Sequence, residues 1–260
     1  MHSEFTLRQP ERFAVIETIS PRPGNLRLLF GHGWGQTSAA FLPLAERLKP
    51  FAPSYLIDFP GFGKSPVPPQ DWGTAEYADA MAAWTRTLAP DRYIWVGHSF
   101  GGRIGLQIAA RHPELLQGMI LIASAGLPRA RTPVERARIG LRRIFFKTAK
   151  RLLKEGPQLE RLRRRMGSAD YRAAGPLRPI LSRVVSENLS EVASAVRCPT
   201  LLLYGSEDTE TPPEMGERFH RLIPGSEFNV LEGLGHLDIL TTGQHQVALR
   251  IRNFIEALGR

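Results

Sequence analysis

The feature that most constrains this chain is the run Gly97-His98-Ser99-Phe100-Gly101-Gly102 together with what flanks it. The apolar run Tyr93–Val96 before it reads as a strand, and Phe100–Arg111 after it reads as a helix closed before Pro113. A serine between two such elements sits on a very tight turn. The residues two before and two after it must be nearly free of side chain, and Gly97 and Gly101 meet that demand. The turn exposes Oγ at the carboxyl edge of a sheet, above a helix N-terminus that favours developing negative charge. A G-x-S-x-G run alone arises by chance in a glycine-rich chain; the strand before it and the helix after it make Ser99 a candidate nucleophile.

A serine hydroxyl is a weak nucleophile without a base, and the base needs an orienting carboxylate. Candidates stand after later strand-like runs. Asp208 lies four residues past Thr200–Tyr204, in Gly205-Ser206-Glu207-Asp208, and His236 follows Phe228–Leu231 in Gly235-His236. The chain order serine, acid, histidine suits a nucleophile on such a turn. Glu207 and Glu210 compete with Asp208, but a bare acidic loop is more often a solvated turn. The position after Met119–Ala123 reads Ser124-Ala125-Gly126 and offers no carboxylate. Of the other histidines, His2, His112, His220 and His245 read as terminal or surface residues. His98, inside the tight turn, is given a packing role.

The chemistry also needs amides aimed at an oxyanion. Gly31-His32-Gly33-Trp34-Gly35 follows the strand-like Leu26–Phe30 and supplies a backbone free to do this. The N–H groups of Trp34 and Phe100 are the candidate oxyanion hole, and one such donor is worth about 3 kcal/mol of transition-state stabilisation. Asp58-Phe59-Pro60-Gly61-Phe62-Gly63-Lys64-Ser65 is not a phosphate loop, because Asp58 stands where the first glycine would be required. No dinucleotide fingerprint or metal-ligand cluster appears, so neither cofactor nor metal is expected.

Short apolar runs alternate with helix-like segments along the chain. Strands are expected at Phe13–Ile19, Leu26–Phe30, Tyr55–Asp58, Tyr93–Val96, Met119–Ala123, Thr200–Tyr204 and Phe228–Leu231. Helices are expected at Ala39–Leu48, Thr74–Leu88 with Thr74 as N-cap, Phe100–Arg111, Glu214–Leu222 and Gln246–Leu258. This pattern predicts an α/β fold, a mostly parallel central sheet flanked by helices. Residues 126–197 break the rhythm, looking helical with no strand run. They read as an inserted helical cap on a core made of 1–125 and 198–260.

Charge falls in the same place. The net charge is +9, yet Arg129–Arg197 holds 18 Lys/Arg against six Asp/Glu, a local balance of +12 that leaves −3 for the rest. Within it Arg143, Lys147, Lys150 and Lys154 fall on one helical face, opposite Leu141, Ile144, Phe145, Ala149 and Leu152. Only five of 34 basic residues are lysine, so codon usage in a GC-rich genome is one source of the arginines. A solvated cap surface, docking of an acidic carrier protein or anionic substrate, and a membrane-surface helix remain open. Nucleic acid has no motif to support it. The single Cys198 excludes an internal disulfide framework. No signal peptide or apolar stretch of 18 residues is seen, so a reduced, cytoplasmic protein is the expectation.

Taken in order and spacing, Gly31–Gly35, Asp58–Ser65, Gly97–Gly102, Gly205–Asp208 and Gly235-His236 resemble the α/β-hydrolase superfamily over nearly the whole chain. Haloalkane dehalogenases and soluble epoxide hydrolases of this fold use Asp as nucleophile, and Ser99 argues against both. The His-Gly-Trp-Gly loop, the Asp58–Ser65 run and Ile-Trp-Val-Gly-His-Ser-Phe-Gly-Gly are similar to pimeloyl-acyl-carrier-protein methyl ester esterases. The resemblance implies a serine esterase with Ser99, Asp208 and His236 as triad and a basic cap that receives an acidic carrier protein. His32, Arg143, Lys147, Lys150 and Lys154 are then substrate- or partner-binding candidates. One departure is Thr241-Thr242-Gly243-Gln244, where many relatives carry an acidic-x-Pro sequence. Other reactions suit the same triad, among them carbon–carbon bond hydrolysis, perhydrolysis and cyanohydrin cleavage. A non-catalytic ligand-binding protein is the remaining class, and an intact triad argues against it.

Overall fold

The computed structural model describes residues 6–8, 13–18, 20, 25–88, 92–129, 140–141, 148 and 169–259. Its strands are β1 (Thr6–Arg8), β2 (Ala14–Thr18), β3 (Leu26–Gly31), β4 (Ser54–Asp58), β5 (Arg92–His98), β6 (Leu116–Ile122), β7 (Thr200–Gly205) and β8 (Glu227–Leu231). They form one sheet in the order β1-β2-β4-β3-β5-β6-β7-β8. β1, β2 and β4 pair antiparallel, and every pair from β4 to β8 is parallel. The strand read at Phe13–Ile19 is present as β2, while β1 carries no periodic signal and was not expected.

The helices are α1 (Leu42–Leu48), α2 (Thr74–Thr85), α3 (Phe100–Arg111), α4 (Ala169–Ala173), α5 (Arg178–Ser186), α6 (Ser190–Ala195), α7 (Pro213–Leu222) and α8 (Gln244–Leu258). Two departures from expectation have local causes. The segment before Leu48 is a 3-10 turn, Ser38–Phe41, followed by α1, because Pro43 has no N–H to give a preceding turn. Thr74 is the first helical residue and not the cap. Gly73 caps α2, and its N–H is taken by the Glu76 carboxylate at 2.9 Å.

Parallel strands covered on both faces must be apolar on both, and alternate residues serve two cores. Ile94 and Val96 of β5 join Leu28, Phe30, Leu44 and Ile251 on one face; Tyr93 and Trp95 join Tyr77, Phe100 and Ile104 on the other. Each Leu or Phe fully buried in this way contributes about 1.5–3 kcal/mol of transfer free energy. Register then decides where the loops meet. Gly31 pairs with Gly97, and Gly97 with Leu121, so the segments leaving β3, β5 and β6 emerge side by side.

Among the described residues of 126–197 all regular structure is helical: α4, a 3-10 turn at Gly175–Leu177, α5 and α6. The stripe Arg143, Lys147, Lys150 and Lys154 lies outside the described residues. α5 turns Ile180, Leu181 and Val184 inward and Arg183 outward. It is tied to α2, because Arg183 donates to the Glu76 carboxylate and to the Asp71 carbonyl. The Glu187 carboxylate accepts from the Thr74 N–H and hydroxyl at 3.0 and 2.5 Å.

Candidate active site

Ser99 occupies the turn between β5 and α3 with φ 49° and ψ −103°, a conformation an L-residue adopts at a cost of about 1–3 kcal/mol. The surroundings enforce it. The Ser99 N–H donates to the Ile122 carbonyl at 3.1 Å, and the Ser99 carbonyl takes the N–H groups of Gly102 and Arg103. A Cβ on Gly97 would collide with the Gly101 carbonyl oxygen, and one on Gly101 with that of Gly31. The glycines are therefore required by close backbone approach, as the sequence pattern predicts.

The loop after β3 closes over this turn. The Gly101 N–H donates to the His32 carbonyl at 3.0 Å, which ties the loop to the start of α3. Trp34 packs edge-on against Phe100 and Phe62. Neither the Trp34 nor the Phe100 amide donates to another main-chain group among the described residues, and both residues line one cavity with Ser99. That cavity measures about 450 Å³ and is walled by Leu127, Leu181, Val184 and Met215 together with Arg103, Glu187 and Thr211.

Asp208 and His236 meet as the chain order suggests. His236 Nδ1 lies 2.7 Å from Asp208 Oδ2. The other carboxylate oxygen, Oδ1, accepts the N–H groups of Glu210 and Thr211, both at 2.8 Å. Burial works against a charge on Asp208, but the hydrogen bonds from His236 and Thr211 outweigh it and hold the carboxyl below its ordinary range. Glu210 does not replace it. Its carboxylate is exposed and approaches the opposite imidazole nitrogen, Nε2, at 3.6 Å.

Three contributors escape sequence reasoning. Thr211 Oγ1 sits 2.7 Å from Asp208 Oδ2, 3.1 Å from His236 Nδ1 and 3.0 Å from the Ala123 carbonyl, fixing Asp208 and His236 to the end of β6. His98 does more than fill space: its Nε2 donates to the His236 carbonyl at 3.0 Å, and its Nδ1 lies 3.1 Å from Gln36 Oε1. Its ring is 4.8 Å from the His236 ring, so the residue beside Ser99 positions His236. Burial, with the neighbouring His236, pushes its pKa down to about 3, so it stays neutral. Arg103, a half-visible polar residue in an apolar helix, proves to be a buried cation on the cavity wall.

His32 is corrected. Expected to touch substrate, it is fully buried; the Phe59 N–H donates to its Nε2 at 3.1 Å, and its Nδ1 donates to the Gly33 carbonyl at 2.8 Å. Packed on Phe59 and Phe62, and pushed down to about 4 by burial, it shapes the loop as a neutral ring. Among the described residues no group of His, Cys, Asp and Glu is arranged to hold a metal ion. No helix among them is long and apolar enough to cross a membrane.

Residues 28–249 match the family described as "Alpha/beta hydrolase family". A pimeloyl-[acyl-carrier protein] methyl ester esterase of Neisseria meningitidis serogroup C is 31% identical over 96% of this chain and 99% of its own length. A second, from serogroup A, is 29% identical over 96% of this chain and 81% of its own. Among solved structures, a bacterial membrane phospholipase A superposes with TM-score 0.76 at 23% identity, covering 99% of this chain and 87% of that one. An esterase from Thermogutta terrifontis superposes with TM-score 0.66 at 24% identity, covering 98% and 97%.

Proposed function

The chain belongs to the alpha/beta hydrolase family, and from that premise we propose that it is a serine hydrolase of carboxylic esters. The observation that carries the reading is the strained Ser99 on its glycine-bounded turn, lining one cavity with Trp34 and Phe100, whose amides make no main-chain hydrogen bond among the described residues. The relatives that are methyl ester esterases point to the same chemistry. Ser99 Oγ attacks the ester carbonyl while His236 Nε2 takes its proton. Asp208 holds the imidazole by Nδ1 and stabilises the imidazolium. The Trp34 and Phe100 amides receive the oxyanion. Collapse expels the alcohol, which takes the proton from His236 and leaves an acyl-Ser99. Water, deprotonated by His236, then attacks the acyl carbon, and the acid departs as Ser99 regains its proton. No cofactor enters these steps.

A fluorophosphonate probe tests this directly. Wild type should be labelled at Ser99 and should hydrolyse p-nitrophenyl esters of graded acyl length; Ser99→Ala should do neither while keeping its fold. Labelling at another residue would remove Ser99 from its role.

A finer reading has its own support. Relatives named for an ester on an acyl-carrier protein, and the +12 balance of residues 129–197, favour an acyl ester delivered by an acidic carrier that docks on the cap. In that reading residues 126–197 form the lid, and Arg143, Lys147, Lys150 and Lys154 meet the carrier.

A further inference from the structure

We infer that Arg103 is the anion-recognising side chain of the cleft beside Ser99, and that the preferred esters carry a free carboxylate a few atoms from the scissile bond. The inference rests on the ester-hydrolase reading above and is independent of the carrier. Arg103 stands on α3 four residues after Ser99, about 6 Å along the helix axis. It is only 8% exposed and lines the cavity with Ser99, Trp34 and Phe100.

A buried guanidinium is expected to face a carboxylate, because an unpaired charge stripped of water is costly. Arg103 has no ion pair among the described residues. Glu187, whose charge acts on it, is turned onto Thr74 with both carboxylate oxygens engaged. Nη1 alone is used: it donates to the carbonyls of Val184 at 2.9 Å and Glu187 at 3.5 Å. Nε and Nη2 make no hydrogen bond among the described residues. Burial lowers the guanidinium to about 10, which leaves it charged at neutral pH.

Of the other charges on the wall, the half-buried Glu187 carboxylate is held by Thr74. Arg129 is exposed and spends Nη2 on the carbonyls of Thr209 and Glu210. Asp170 and Glu210 are exposed and screened by solvent. Among the described charged side chains of the wall, Arg103 is the buried one. Two free N–H edges of one planar guanidinium match a carboxylate, and Leu181, Val184 and Met215 supply apolar wall for the intervening methylenes. The ligand class is a half-ester of a short dicarboxylic acid.

The test is the preference for monomethyl over dimethyl esters of succinic, glutaric and adipic acids, read as a ratio of kcat/KM. Wild type should favour the monoesters. Arg103→Met should lower that ratio about 10- to 100-fold, chiefly through KM, and Arg103→Lys should restore part of it. If Arg103 merely secures the end of α5, both esters suffer equally and the ratio stays, which overturns the inference. So does a wild type indifferent to the free carboxylate. Should Arg103→Met fail to fold, wild type decides alone: glutarate should inhibit hydrolysis of a neutral ester and its diamide should not. Equal inhibition by both, or none, overturns the inference. Absence of fluorophosphonate labelling in wild type would sink the hydrolase reading instead.

Discussion

Replacing Asp208 by Asn changes one atom and should silence the site, and the hydrogen bonds show why the variant cannot rescue itself. Oδ1 accepts two main-chain N–H groups at 2.8 Å, so the amide nitrogen cannot sit there without opposing donors to a donor. It must take the place of Oδ2, 2.7 Å from His236 Nδ1. There it donates to Nδ1, which forces the imidazole proton onto Nε2, the nitrogen that has to accept the serine proton. The wrong tautomer costs about 10³–10⁴ in kcat, or about 4–5.5 kcal/mol at 1.36 kcal/mol per decade. The assay is kcat on a p-nitrophenyl ester, with the rate of fluorophosphonate labelling as a second measure and the melting temperature as a fold control. Glu207→Gln and Glu210→Gln should change kcat little. Retention of a tenth of wild-type kcat by Asp208→Asn, or a larger loss in Glu210→Gln, would refute the assignment.

Gly101→Ala drives a methyl group into the Gly31 carbonyl oxygen, backbone against backbone. It should cost stability at or beyond the top of the usual 1–3 kcal/mol for overpacking, measured by urea denaturation; an unchanged midpoint would mean the elbow is looser than described. His32 and His98, held near 4 and 3 by burial, stay neutral when folded but take up protons near pH 6.5 when unfolded. The unfolded chain then binds more protons, so stability falls as pH drops below 6.5 toward those values. The melting temperature should be lower at pH 5 than at pH 7, with a shallower dependence in His98→Gln; identical melting at both would rule this out. If an acidic carrier docks on the basic cap, kcat/KM for a carrier-bound ester should fall as salt shortens the Debye length below about 8 Å. A small neutral ester should not respond, and reversing Lys147 and Lys150 should reproduce the loss for the carrier substrate alone. Equal salt dependence for both substrates would leave a merely solvated cap.

The amino-acid sequence by itself determined the parts of this protein that local pattern can carry. A buried strand, a turn between two glycines and a helix are written in consecutive residues, so the turn that carries Ser99 was legible. The meeting of Asp208 and His236 was legible because each follows its own strand at the same edge of the sheet. Tertiary structure decided the rest, for contacts between residues far apart leave no local periodicity. His98 supports His236 from 138 residues away, and Arg103 reaches Val184 across 81. Thr211 sits between Asp208, His236 and the end of β6, and nothing in its neighbours in sequence marks it as different from any loop threonine. His32 shows the converse: its residue type and motif suggested a substrate contact, and the packing of Phe59 and Phe62 around it turned the ring inward. A side chain's chemistry is set by which partners desolvate it, and only the folded chain chooses those partners.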